Sequence, residues 1–242
     1  LVMQAMGRKI GFIPAGARLG DPERRMPLLI VVPEAGLTME GLADRVNETL
    51  RQRGRALVVV SEGFDVGEIG ERKDAFGHTS FSSSERTVAQ AVVSHLNRVG
   101  LACRGLARGN VPGTDQRDSI ISASTVDLEE AYLVGRQAVS IAAEHGSGFM
   151  ATILREAGAE YRVRYDKVAL QAVANSERTF PAAWIAPSRT DVTDEFVRYA
   201  RPLLGDDWPS VPLVGGLQRF ARLRPVFAER RLPAYVPQGY RP

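Results

Sequence analysis

Cysteine is almost absent from this chain of 242 residues, and the one thiol, Cys103, excludes an intrachain disulfide. That usage fits a reducing compartment, so a cytoplasmic location is expected. Long apolar runs are also missing: the longest, Leu28–Pro33 and Ala56–Val60, fall far short of a bilayer span, and no membrane partner is expected. Charge of one sign does not dominate, with 31 Lys and Arg against 28 Asp and Glu, and no run of five or six basic residues occurs. A nucleic-acid footprint would be more one-sided, so none is expected. The opening LVMQAMGRK lacks the charged-then-apolar order of a signal peptide and begins without Met, which reads as the interior of a longer protein. What remains is a chain with 44% hydrophobic residues, enough for a sizeable core in one large domain or one domain plus appendages.

Strands and helices alternate along it. Leu28 to Val32, bounded by Pro27 and Pro33, predicts a buried strand, and Ala56 to Val60 predicts a second that ends in Ser61-Glu62-Gly63. Between them Thr38 starts a helix in which Leu42, Val46 and Leu50 recur every four residues, and Gly54 stops it. Residues 64–86, polar and rich in Gly and Ser, read as a loop or excursion. Val88 to Asn97 predicts a helix closed by Gly100, and Leu101–Ala107 a third strand with Cys103 as a small core residue. A long helix is capped near Ser124 or Thr125, with Asp127, Glu129 and Glu130 in its first turn, and ends at Gly146. Phe149–Arg155 and Tyr161–Tyr165 read as a strand pair, and Thr193 to Leu204 as a last helix flanked by Trp184 and Trp208 as packing anchors. From Gly205 a proline-punctuated tail shows little periodicity. The expected fold is α/β, a three-layer αβα lobe with a mainly parallel sheet, over residues 1–204, followed by a tail over 205–242.

One segment carries chemistry. RGNVPGTDQR sets Arg108 and Arg117 nine residues apart around Gly109, Pro112 and Gly113. Guanidinium is a planar, permanently charged fork that fits phosphate oxygens, and the Gly-Pro turn lets backbone N–H groups approach an anion. The same ten residues fit a strand-to-helix loop with solvated arginines equally well. In parallel sheets ligands sit beyond the carboxyl ends of strands. Glu62 and the arginine segment both fall there, and they converge if their strands are neighbours.

Further residues bear a resemblance. Met6-Gly7-Arg8 is similar to the Met-Gly-Arg turn of the phosphofructokinase family, with a helix following from Lys9-Ile10-Gly11-Phe12. Val58-Val-Val-Ser-Glu62 resembles the strand that ends in the family's sugar-binding glutamate. Pro112-Gly-Thr-Asp-Gln-Arg117 resembles its Leu-Gly-His-x-Gln-Arg, with Arg108 at the family's spacing before the final Arg. ANSERTFPAAWI and DVTDEFVRYARPLLG look like the long pyrophosphate-dependent branch. The resemblance covers residues 3 to about 205 and is to the C-terminal portion of that branch.

The resemblance implies fructose 6-phosphate as ligand. Met6 and Gly7 would contact the sugar through the turn, Arg8 would neutralise the phosphoryl group in flight, and Glu62 would accept from sugar hydroxyls. Arg117, with Thr114, would hold the 6-phosphate, and Arg108 would reach the site of a neighbouring subunit in a homo-oligomer. It also implies Mg²⁺ in the intact enzyme. Departures accompany the matches: Thr114 stands where many members carry His, and an excursion containing DAFGHTSFSSSE is a candidate flap or interface. The Gly-Gly-Asp donor turns and the Thr-Ile-Asp base motif are absent, so a missing N-terminal lobe would carry the donor site, the metal and the general base. The isolated chain would then be inactive and expose apolar surface around its first helix. Alternatives are a non-catalytic sugar-phosphate-binding or regulatory subunit, or part of an ATP-dependent enzyme; a polyanion binder would rest on the slight basic excess alone. His78 has no paired carboxylate or nucleophile, Asp65, Asp74 and His78 match no metal motif, Ser82-Ser83-Ser84 lacks a nucleophile elbow, and Arg219, Arg222 and Arg224 read as a solvated surface.

Overall fold

Four parallel strands form the sheet, in the order β2-β3-β1-β6. They are β1 (Val2–Ala5), β2 (Leu28–Val31), β3 (Leu57–Ser61) and, at the edge, β6 (Gly109–Asn110). Two short strands, β4 (Arg72–Lys73) and β5 (Thr79–Ser80), pair antiparallel between β3 and β6 in sequence. The computed structural model describes residues 1–67, 72–73, 79–80, 86–231 and 233–236; the DAFGHTSFSSSE excursion, with Asp74, His78 and Ser82–Ser84, lies outside them except for the backbone of β5.

The sheet is covered on both faces, as the αβα reading requires. On one side α2 (Met39–Arg53) and α3 (Val88–Val99) pack Leu42, Val46, Leu50, Val88, Val92 and Leu96 against Val2, Val58 and Val60. On the other, α1 (Phe12–Ala15) and α7 (Asp194–Ala200) pack Ala15, Phe196 and Ala200 with Phe180 against Ala5, Ile30 and Val59. Each large side chain fully buried here contributes about 1.5–3 kcal/mol. Right-handed crossovers account for the sides. The chain leaves β1 toward β2 over one face, and returns from β2 to β3 and onward to β6 over the other.

Caps set the helix ends. Thr38 Oγ1 accepts from Gly41 N at the start of α2, and Gly54 closes it. Thr87 and Gln90 form a reciprocal capping box on α3. α4 (Asp115–Asp118) is a single turn. α5 (Thr125–His145) starts at Ser124 and ends at Gly146, but only Asp127 lies in its first turn; Glu130, further along, receives the Tyr161 hydroxyl at 2.6 Å. β7 (Phe149–Arg155) and β8 (Val163–Ala169) form an antiparallel hairpin against α5, its second strand longer and later than Tyr161–Tyr165, and α6 (Leu170–Val173) follows it. Arg155 ties this hairpin to α7, donating to Tyr199 O at 2.7 Å and lying over the Tyr161 and Tyr199 rings.

Several expectations need correction. Leu101–Ala107 is not a strand, because side-chain amides replace its ladder partners: Asn47 accepts from Ala102 N and Asn97 from Ala107 N, both at 2.7 Å. Cys103 is therefore exposed instead of buried. The helix after Met-Gly-Arg starts at Phe12, not Lys9. Trp184 does anchor packing, among Phe12, Phe180, Phe196 and Tyr199, whereas Trp208 is 83% exposed. By packing, the chain divides into two units, Leu1–Pro209 and Ser210–Pro242. Within the second, β9 (Leu213–Val214) and β10 (Leu217–Gln218) form a small hairpin around Gly215-Gly216.

Candidate functional site

β1 lies between β3 and β6, so the residues that follow these three strands share one end of the sheet. Ala5 is in register with Ser61, and Met3 with Asn110. Met6-Gly7-Arg8 thus follows the central strand, Glu62 follows its neighbour on one side, and the part of the arginine segment from Val111 to Arg117 follows its neighbour on the other. Arg108 instead precedes β6, level with Leu1 at the amino end of the sheet, because the strand begins one residue after it. The loop after β1 turns to one face and that after β3 to the opposite one, which opens the crevice where parallel sheets bind ligands.

The central turn is held atom by atom. Gly7 takes φ 139° and Arg8 φ 53°, so their successive N–H groups point to one place. Glu62 Oε1 fills it, accepting from Gly7 N at 3.0 Å and Arg8 N at 2.8 Å. Two charge-assisted hydrogen bonds offset the left-handed backbone of a non-glycine residue. Ser61 Oγ donates to Arg8 O at 3.0 Å and accepts from Gly63 N at 3.2 Å. A Cβ on Gly63 would collide with the Arg8 carbonyl and Lys9 Cα, so only glycine admits this approach. Met6 N donates to Gln116 Oε1 at 2.9 Å, joining the turn to α4 across 110 positions of sequence. Glu34, just past β2, accepts from Gly11 N at 3.2 Å and Phe180 N at 3.0 Å, which anchors the end of the loop to Phe180 in the layer of α1.

The side chains expected from sequence divide into two sets. Glu62 is 7% exposed and already committed through Oε1 to the turn, leaving Oε2 without a hydrogen-bond partner among the described residues. Arg8, Arg108, Thr114 and Arg117 are exposed. Thr114 precedes α4 without capping it. None of the three guanidiniums makes an ion pair among the described residues, so Arg8 and Arg117 present uncommitted cations at this end of the sheet, while Arg108 lies at the other. The backbone of Arg108 accepts from Val2 N at 2.8 Å, which fixes where its side chain begins. Ser61, Gly63, Glu34 and Gln116 were not singled out by sequence; the first two are marked only by flanking Glu62, and Gln116 only by preceding Arg117.

Other features lie elsewhere. A cavity of about 630 Å³ is lined by Phe12, Phe196, Tyr199, Leu203 and Trp208 with Asp127 at its edge, and it touches none of the turn or arginine residues. Burial raises the Asp127 carboxyl above its ordinary pKa, helped by the nearby Glu130 charge. Among the described residues no group of three or more His, Cys, Asp or Glu side chains is placed to hold a metal ion. No described helix is long and apolar enough to cross a membrane.

No protein-family profile matches the chain. Individual relatives do. A pyrophosphate–fructose 6-phosphate 1-phosphotransferase of Methylococcus capsulatus is 32% identical over 241 residues, covering 96% of this chain and 55% of the relative. One of Halomonas elongata is 31% identical over 241 residues, covering 97% and 55%. The crystal structure of a pyrophosphate-dependent phosphofructokinase from Nitrosospira multiformis superposes with a TM-score of 0.77 at 30% identity, over 97% of this chain and 55% of that one. The chain spans about half the length of the curated relatives it matches. Near-complete coverage of this chain, with a shared fold, makes it homologous to pyrophosphate-dependent phosphofructokinases: it belongs to the phosphofructokinase family.

Proposed function

We propose that this chain is the sugar-phosphate-binding part of a phosphotransferase that converts fructose 6-phosphate to fructose 1,6-bisphosphate with pyrophosphate. One observation carries the reading: the Met6–Arg8 turn, Glu62 and the α4 end of the arginine segment meet at the carboxyl ends of three neighbouring strands, with Arg8 and Arg117 unpaired among the described residues. The names of the relatives supply the substrate and donor. In this reading Arg117 holds the 6-phosphate with Thr114 beside it, and Glu62 Oε2 accepts from a sugar hydroxyl. Met6 and Gly7 line the sugar. Arg8 faces the phosphoryl group in flight, where charge stabilisation counts most and a group that never titrates is suited. The 1-hydroxyl oxygen bonds to the terminal phosphorus of the donor, the bridging P–O bond breaks, and the hydroxyl proton passes to a base outside this chain. Mg²⁺, which assists the donor, is likewise held outside it. Arg108 completes the site of a second copy, which makes the working enzyme a homo-oligomer, and the isolated chain binds sugar phosphate without turning it over.

Calorimetric titration with fructose 6-phosphate tests the reading. Wild-type chain should bind, and Arg117→Ala should weaken binding by about 10–100-fold, the worth of a hydrogen bond to a charged group. Folded wild type that binds no fructose 6-phosphate, or an Arg117→Ala variant that binds equally well, would overturn it.

A further inference from the structure

The two ends of the proposed ligand are held by different pieces of structure. Glu62 and the Gly7–Arg8 turn are locked together and rooted in the sheet. Arg117 sits on α4, a single turn with no buried residue. Its backbone bonds are all local: Arg117 N and Asp118 N donate to Thr114 O, Asp115 N to Pro112 O and Gln116 N to Gly113 O. Among the described residues, one hydrogen bond leaves residues 111–123 for another element, that from Met6 N to Gln116 Oε1. Packing does not replace it, because Val111, Ile120 and Ile121 on either side are exposed.

We propose that Gln116 is a positioning residue that sets the spacing between the phosphate-holding and sugar-holding halves of the site. The inference rests on the reading given under Proposed function. Gln116 touches no ligand in it. Its carboxamide oxygen holds the Met6 amide, and Arg117, the next residue, is thereby kept at a fixed reach from Glu62. A ligand that bridges both halves benefits from that spacing, because a preorganised site loses less freedom on binding. A ligand that meets only the arginines does not.

Two measurements on the full chain test this, with Gln116→Ala and with Gln116→Glu, which keeps an acceptor at the same reach. In amide hydrogen exchange, Gln116→Ala should speed exchange at Met6 by about tenfold, a hydrogen bond of ordinary strength, while Gln116→Glu keeps it protected. The Val2 and Glu62 amides, bonded within the sheet, should stay protected and report that the fold is intact. In titration, Gln116→Ala should weaken fructose 6-phosphate by about five- to tenfold and leave inorganic phosphate unchanged. Unaltered exchange at Met6 in Gln116→Ala would overturn the tether. Equal weakening of both ligands, or of neither, would overturn the spacing role. Wild type that binds no fructose 6-phosphate sinks the functional reading and the spacing role with it, while the exchange result still decides the tether.

Discussion

At the scale of single residues, buried charge shows how closely the layers are fitted. Arg18 is 1% exposed and spends its guanidinium on Asp21, on Asp191 at 2.9 Å and on Leu28 O at 3.3 Å. Arg24 continues the network to Asp191 and Asp194. Asp21 is the titrating member to watch. Burial alone would raise its carboxyl, but the amides of Met26 and Arg25 and the Arg18 charge hold it below its ordinary value. A pKa lowered in the folded state adds stability that is fully present above the ordinary carboxylate range and is lost as pH falls through the folded value. Thermal melting of wild type and Asp21→Asn should therefore differ at neutral pH and converge as pH drops below about 4. A gap that stays constant with pH would show that the carboxylate charge contributes nothing.

At the scale of elements, what could be read from sequence was what is decided locally. Thr38, Thr87 and Ser124 announce their helices because a hydroxyl followed by good helix formers is a local signal, and Gly54 and Gly146 end two of them. Thr87→Ala removes the hydroxyl half of the α3 capping box, leaving the bond from the residue 87 amide to Gln90 Oε1, and should cost about 1 kcal/mol, measured as a shift in urea unfolding. β1 was missed as a strand because its pattern is broken by Gln4, a buried amide whose oxygen accepts from Ala89 N at the start of α3. That partner is 85 positions away, and no window of sequence shows it. β6 is two residues long and too short to carry any pattern. For the site, Glu62 and the arginines were legible through motifs. Ser61, Gly63 and Gln116 were not, since each acts on the backbone of a turn that is distant in sequence.

At the scale of the whole molecule, the unequal burial of the layers matters most. The sheet and its two helical layers are well covered, but α5 buries only Ile141 among its 21 residues. Tyr132 and Val139 on it, and Phe149, Met150 and Ile153 on β7, are exposed. Apolar surface was expected around the first helix, where Ile13 is indeed half-exposed, yet α5 and β7 carry more of it. Such surface favours association. Sedimentation velocity should show the average mass rising with concentration, and a strictly monomeric chain over a hundredfold range would contradict this.

The place of β1 has a kinetic consequence. The central strand is the earliest in the chain, yet its partners are Val58–Ser61 and Gly109–Asn110. No hairpin can zip it up, and each pairing demands closure of a long loop first, which slows folding. Only β2 and β3 can meet over a shorter loop. The Met6–Arg8 turn therefore takes shape late, because Glu62 and Gln116 must both arrive before it is held. During synthesis a ribosome that stalls before residue 109 would display a sheet lacking its edge and a turn without its grip on α4.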